Sequence, residues 1–276
     1  MKENVPPRIY CIPAAKAPVA AVFRRGPTDW SHVGLWDLEK RLYKAGAWLR
    51  GRIFPRRSDV SPDGRYLCYF AHKPNARWQH GEAYVALSKP PWLTALHAFP
   101  TCGTWTRGYY FTEDVEAEAG DYGELPIRYG LRSIPVVQFA NERRRGWEET
   151  SDCPQKDPGD VWDQYRNARM QKRQPGGDTV LFVESLGWAG GEFGVEQAVD
   201  GIRVRYWLRQ ANGGVQLLNH LQWADWDGDG NLLVALREGS LQIWDVSARR
   251  VQVLFNEDMS MLRPNPVSTP EWAQRW

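Results

Sequence analysis

One short pattern occurs twice in the 276-residue chain and restricts what the chain can fold into. The segments 58–67 and 224–233 each place an aspartate four residues before an Asp-Gly pair, and each continues into an apolar run. Asp-Gly is typical of a tight turn between antiparallel strands, because both residues tolerate the positive φ angles that such turns require. The pattern therefore predicts two equivalent β-hairpins far apart in the sequence.

A second repeated pattern is a Trp-Asp pair that ends an apolar run, at Trp36-Asp37 and at Trp244-Asp245. Around the second pair, four short apolar runs alternate with polar turns: Leu221–Trp226, Asn231–Leu236, Leu241–Val246 and Val251–Phe255. Short strands at this rhythm predict a four-stranded antiparallel sheet.

Five apolar runs fit the position of the second strand of such a sheet, and they begin at Val19, Arg65, Gly108, Thr179 and Asn231. Three of the spacings match the roughly 40–50 residues of one four-stranded repeat, whereas the step from Gly108 to Thr179 is longer. We therefore predict an all-β fold, a single β-propeller domain over residues 1–276 with about five four-stranded blades and an insertion at about 141–177. A β-sandwich would also have short strands, but the repeated spacing favours the propeller. The 15 Trp and 11 Tyr suit rings packed between sheets.

Two segments carry a resemblance to a known family. Ser61-Pro62-Asp63-Gly64-Arg65-Tyr66-Leu67 resembles the turn and strand of WD-repeat and TolB-like β-propellers, and Leu241–Val246 resembles the strand that ends a WD repeat. This resemblance implies a ring-shaped scaffold for macromolecular interaction that is seldom catalytic.

The insertion is rich in arginine and contains a predicted amphipathic helix over 161–173, with Asp160 as its N-cap and Pro175-Gly-Gly177 as its stop. We predict that its basic residues bind a partner: Arg143, Arg144, Arg145, Arg166, Arg169 and Arg173. The alternative is a helix that packs Trp162 and Tyr165 on the domain and leaves its arginines solvated.

The C-terminal tail, 263–276, contains the capping-box pattern Ser268-x-x-Glu271 and predicts a short helix. Trp272 and Trp276 would share one face of it and seal the seam between the first and last blades. An exposed tryptophan pair for a partner is the alternative.

No pattern in the sequence assigns catalysis or a cofactor. Asp225-x-Asp227-x-Asp229-Gly230 matches the opening of an EF-hand calcium loop, but Leu236 stands where the chelating glutamate belongs. We therefore expect turn aspartates there, with calcium as the alternative. No nucleophile elbow, P-loop, dinucleotide fingerprint or paired metal-binding histidines are found. Catalysis assembled from distant loops stays open.

Charge and cysteine usage set the expected environment. The net charge is +2, yet residues 1–60 hold 12 Lys/Arg against 5 Asp/Glu, which points to a basic rim and an oriented partner. The alternative is solubilising charge scattered over the surface. The four cysteines are widely spaced, which favours a reducing compartment. No apolar signal core or membrane-length stretch is found, so we expect a cytoplasmic protein without membrane association.

These observations predict a non-enzymatic protein-interaction scaffold with a protein partner. The alternative is a propeller that binds a small ligand or glycan, or acts as an enzyme, through tryptophan-rich loops at the mouth of the channel. Nucleic-acid binding through the arginines of the insertion is a third, weaker option.

Overall fold

The structure is a computed structural model that describes residues 6–26, 29–74, 81–101, 103–105, 107–112, 129–135, 137–153, 167–188, 199–247 and 250–276. Within these ranges the chain forms twenty β-strands in five sheets, and every strand pair with a described register is antiparallel. The prediction of an all-β fold is confirmed.

The first sheet has the strand order β1-β2-β3-β4, with β1 Arg8–Pro13, β2 Val19–Arg25, β3 Trp30–Asp37 and β4 Leu42–Arg50. The second has the order β5-β7-β8-β9, with β5 Arg52–Ile53, β7 Leu67–His72, β8 Ala83–Ser88 and β9 His97–Pro100, and β6 Asp59–Val60 also pairs with β7. The third consists of β10 Tyr109–Phe111 and β11 Leu131–Ser133.

The fourth sheet has the order β12-β13-β14-β15-β16, with β12 Glu148–Glu149, β13 Arg169–Arg173, β14 Val180–Trp188, β15 Ile202–Arg209 and β16 Val215–Leu217. The fifth has the order β17-β18-β19-β20, with β17 Leu221–Trp226, β18 Leu232–Leu236, β19 Ser240–Asp245 and β20 Gln252–Asp258. The fifth sheet contains the four strands predicted from the sequence. A short helix, α1 Ala140–Arg143, and 3-10 turns at Pro55–Arg57, Gly103–Trp105 and Glu271–Ala273 complete the elements of the described ranges.

Both repeated patterns occupy equivalent places. Gly64 and Gly230 have φ angles of +74° and +83°, so each Asp-Gly pair forms the turn before an inner strand. In the second turn the Asp227 carboxylate accepts the N–H groups of Asp229 and Asn231 at 2.9 and 2.7 Å. Each Trp-Asp pair ends the third strand of its sheet. The predicted hairpins are confirmed, whereas a ring of sheets stays a prediction.

The chain divides into two compact units: unit 1 contains residues 1–10 and 136–263, and unit 2 contains residues 11–135 and 264–276. In unit 1 the fourth and fifth sheets share a core that includes Met170, Val183, Tyr206, Leu221 and Trp226. In unit 2 the strands of the second sheet pack around Phe54, Phe70, Val85 and Phe99, with Leu131 of β11. A single domain over residues 1–276 stays a prediction.

The predicted helix over 161–173 is wrong at its C-terminal end, because Arg169–Arg173 is strand β13. Its five residues pair with β14, and Met170 is fully buried while Arg169 and Gln171 are only partly buried, an alternation that belongs to a strand. The N-terminal part of the predicted helix, with Arg166, lies outside the described residues. The segment 141–177 is therefore not wholly an insertion, since β12 and β13 are part of the fourth sheet.

The predicted helix of the tail is also wrong. The tail forms a single 3-10 turn at Glu271–Ala273, which is preceded by Pro270 and has no side-chain cap hydrogen bond. Ser268 lies before this turn in exposed, non-helical chain. In the described part of the chain, no helix has the length and apolar character needed to cross a membrane.

Candidate functional site

The face of the fourth sheet opposite its core carries an unusual set of side chains. Successive residues of a strand point to opposite faces, and Met170, Leu181, Val183, Tyr206 and Leu208 fill the core. Their strand neighbours form three rows on the other face: Arg169, Glu184 and Arg205; Gln171, Phe182 and Trp207; Arg173, Val180 and Arg209. We call these nine residues, with Val215 and Leu217 of β16, the arginine–aromatic face.

Two rings stack at the centre of this face. The centroids of Phe182 and Trp207 lie 5.1 Å apart with an interplanar angle of 4°. The guanidinium of Arg209 lies 4.9 Å from the Phe182 centroid, and that of Arg169 lies 5.9 Å from the Trp207 centroid. Cation–π attraction holds both cations against the rings. Each ring therefore already has a guanidinium and the other ring as neighbours.

Glu184 organises the first row of the face. Its two carboxylate oxygens accept hydrogen bonds from Arg169 at 2.8 Å and from Arg205 at 2.5 Å. Arg169 also donates to Asp152. Partial burial opposes ionisation of Glu184, but the hydrogen bonds and charges of Arg169 and Arg205 outweigh it and lower its pKa. The row is thus a preorganised charge network whose arginines are held in place.

In the third row, carboxylates neutralise the positive charges of the arginines less than in the first row. Arg173 and Asp178 lie 3.6 Å apart and both are about three-quarters exposed, so their pairing is weak. Arg209 is exposed, and the ion pairs that the structure describes on this face belong to Arg169, Arg173 and Arg205. Arg209 lines two hollows. One, of about 680 Å³, is also lined by Asp152 and Trp207, and the other, of about 440 Å³, is also lined by Arg173. Arg209 is consequently the cation of this face best placed to meet an incoming anion.

The structure separates the predicted partner-binding arginines into two groups. Arg169 and Arg173 belong to the arginine–aromatic face, whereas Arg166 lies outside the described residues. Arg143 is the last residue of α1, Arg144 and Arg145 follow it, and all three are used within the fold.

All three arginines of that second group bind acceptors in their own segment. Arg143 donates to the Gln138 carbonyl at 3.0 Å and pairs with Glu149. Arg144 and Arg145 donate to the carbonyls of Ala140 and Asn141 at 2.9 and 3.2 Å. Basic side chains commonly satisfy the last carbonyls of a helix in this way.

Sequence reasoning missed Arg205, Trp207 and Arg209. Their signal is the alternation in Arg203-Val-Arg205-Tyr-Trp207-Leu-Arg209, where every second residue is basic or aromatic. This period predicts a strand with one cationic face.

The aspartates of the calcium-like pattern have other partners. Asp225 is buried and accepts a hydrogen bond from Lys172 at 2.7 Å, and Asp227 organises the hairpin turn. Across the described ranges, no group of three or more His, Cys, Asp or Glu residues is arranged to hold a metal ion. The expected turn role is confirmed for Asp227.

No protein-family model matches this chain. No curated protein sequence matches it either. Among solved structures, the chain is similar to Saccharomyces cerevisiae Sqt1, with 9% identity and a TM-score of 0.27 over 94% of this chain and 77% of that one. It is also similar to the β-propeller domain of Myceliophteria thermophila Cps50 (Swd1), with 16% identity and a TM-score of 0.23 over 92% of this chain and 76% of that one.

Proposed function

We propose that this protein is a non-enzymatic interaction scaffold that docks an acidic segment of a protein partner on the arginine–aromatic face. The observation that carries the proposal is Arg209, an exposed cation that lies over stacked rings between two hollows. Arginine and tryptophan are typical of the residues that dominate binding energy at protein interfaces. The neighbouring network around Glu184 supplies a rigid support.

The charge pattern of the face favours a protein over a nucleic acid. Glu149, Asp152 and Glu184 lie beside the arginines, so a continuous polyanion would meet carboxylates as well as cations. Bases and sugars bind tryptophan through an open ring face, but Trp207 is already flanked by Phe182 and Arg169. An acidic peptide can bind through the guanidinium groups and does not require an open tryptophan face.

The repeated patterns support a scaffold of the β-propeller type, related to WD-repeat proteins. The Asp-Gly turn precedes an inner strand in both the second and the fifth sheets, and the Trp-Asp pair ends the third strand of the first and fifth. Cys11 and Cys68 are buried free thiols, which supports a cytoplasmic location.

Affinity capture of proteins from native cell extract, using wild-type chain and Arg209→Gln, tests the proposal. Loss of one charge-assisted hydrogen bond, about 1.5 kcal/mol, should weaken the captured complex about tenfold. Arg132→Gln is the matched control, because Arg132 is an exposed arginine of β11 in unit 2. Binding that depends on the acidic partner should also weaken at high salt.

Equal recovery with Arg209→Gln and Arg132→Gln would refute this docking surface. A thermal shift with a sugar or metabolite panel, in the absence of any Arg209-dependent protein, would favour the small-ligand alternative instead.

A further inference from the structure

The arginine–aromatic face ends at an open sheet edge. β16 is the last strand of the fourth sheet, and none of the described strands pairs with its outer side. Residues 211–217 are all exposed, including Val215 at 62% and Leu217 at 57%. An edge strand with unpaired peptide groups is a ready template for one more strand.

The register of β15 and β16 shows which peptide groups are available. The Leu218 N–H donates to the Tyr206 carbonyl at 2.9 Å, and the Gln210 N–H donates to the Gly214 carbonyl at 2.8 Å. Hydrogen-bonded and non-hydrogen-bonded pairs alternate in an antiparallel ladder. The intervening pairs of Val215 and Leu217 with β15 are therefore of the non-hydrogen-bonded kind, and their N–H and C=O groups point to the outer side.

The side of the arginine–aromatic face next to this edge carries more positive than negative charge. β15, the neighbour of β16, contributes Arg205 and Arg209, whereas the carboxylates Glu149, Asp152 and Glu184 lie on or before β14. A strand added beside β16 would thus lie next to the cationic side of the face. Acidic side chains on that strand could reach Arg209 across the short side chain of Val215.

We propose that the acidic partner segment binds in extended conformation as an additional strand on β16, with its acidic side chains on the arginine–aromatic face. The inference rests on the proposed function and specifies the partner as a strand-forming acidic peptide. Backbone hydrogen bonds to Val215 and Leu217 supply affinity, and Arg209 and Arg205 select the acidic side chains.

The probe is a fluorescein-labelled eight-residue peptide of alternating glutamate and threonine, measured by fluorescence anisotropy on the full chain. Glutamine in place of glutamate should weaken binding, and Arg209→Gln should weaken it about tenfold. Val215→Pro removes the outward N–H without removing a bond to β15, and it should weaken binding as well. Val215→Thr, which keeps that N–H and the branched side chain, is the matched control and should bind normally. Thermal unfolding checks that both variants are folded.

Two N-methylated forms of the peptide test the strand pairing independently of any variant. With glutamates on the arginine–aromatic face, antiparallel pairing directs the glutamate N–H groups to β16, and parallel pairing directs the threonine N–H groups there. Methylation of one set of nitrogens should therefore abolish binding, whereas methylation of the other set should leave it unchanged.

The outcomes separate the two proposals. Equal affinity of the two methylated peptides, or of Val215→Pro and Val215→Thr, would overturn strand addition while leaving acidic docking at Arg209 in place. No detectable binding of the unmethylated peptide would overturn strand addition as well. Binding that is insensitive to Arg209→Gln would overturn the docking surface itself.

Discussion

At the scale of single residues, Glu184 holds two arginines of the arginine–aromatic face in place. Its carboxylate binds both Arg169 and Arg205, and its side chain is only 13% exposed. Glu184→Gln keeps the shape but removes the charge, so we expect a loss of about 1–2 kcal/mol in the free energy of unfolding at pH 7. Urea unfolding measures it. Arg173→Gln is the control, since Arg173 and Asp178 are both exposed and should contribute little.

The same variant has a defined pH dependence. Because the pKa of Glu184 is lower in the folded chain than in the unfolded chain, its stabilising contribution is present above the unfolded pKa. The contribution is lost as the pH falls through the folded pKa. The stability difference between wild type and Glu184→Gln should therefore shrink between neutral pH and about pH 3. A difference that does not change with pH would contradict this role.

His32 is the second residue with a strong pH signature. Its Nδ1 donates to the Ala47 carbonyl at 3.1 Å, its Nε2 lies 2.8 Å from the Tyr43 hydroxyl, and its ring stacks on Trp48 at 4.4 Å. Burial, opposed by the bond to Ala47 and assisted by the charge of Arg24, lowers the pKa of His32 to about 4.

We expect His32 to destabilise the fold as the pH falls from about 6.5 toward 4, because the unfolded chain binds the proton first. An NMR titration of the imidazole resonances should show His32 still neutral near pH 5 in the folded chain. The urea-unfolded chain, in which the ring should titrate near its ordinary value, is the comparison. A folded-state midpoint near 6.5 would show that the ring is not buried as described.

At the scale of elements, the C-terminal segment 264–276 is held by side chains more than by regular structure. Ala273 is fully buried against Ala47 and Trp92, and Thr269 shares a 2.7 Å hydrogen bond with Thr94. Trp276 stacks on Tyr129, with ring centroids 5.3 Å apart. The segment therefore packs as an integral part of unit 2.

Ala273→Asp tests how much this packing contributes. It places an unpaired carboxylate in an apolar contact, so we expect a loss of about 2 kcal/mol or more in the free energy of unfolding. Ser268→Asp adds the same charge at an exposed position of the same segment and should change stability by less than about 0.5 kcal/mol. Similar unfolding curves for the two variants would show that the segment does not stabilise unit 2.

Elements differ in how far their sequence predicts them. The fifth sheet is predictable because Asn231–Leu236 and Leu241–Val246 are mostly apolar and are bounded by Asp-Gly and Glu-Gly turns. β13 is not predictable, since Arg-Met-Gln-Lys-Arg has one apolar residue and becomes a strand through its pairing with β12 and β14. The candidate site is only partly predictable, because it too depends on strand pairing. The arginines of β15 can be predicted from their period of two, but the Phe182–Trp207 stack depends on the register between β14 and β15.

At the scale of the whole molecule, neither unit is formed by one continuous segment. Unit 1 needs residues 6–10 as well as 136–263: the Ile9 N–H donates to the buried Gln222 side chain at 2.9 Å, and the Tyr10 hydroxyl donates to Glu142 at 3.1 Å. Unit 2 likewise needs the C-terminal segment. Each unit therefore depends on a segment that is distant in sequence from the rest of it.

This discontinuity favours one cooperative unfolding unit, in accord with the predicted single domain. We expect calorimetry to show one transition with equal calorimetric and van't Hoff enthalpies. Gln222→Leu leaves the Ile9 N–H without its side-chain partner, at a cost of about 1–3 kcal/mol for that buried group. If the chain unfolds as one unit, this variant lowers the midpoint of the whole transition, by about 2–4 °C per kcal/mol for a chain of this size. If the units unfold separately, two transitions appear and only the one that belongs to unit 1 moves, and the single-domain prediction is then wrong.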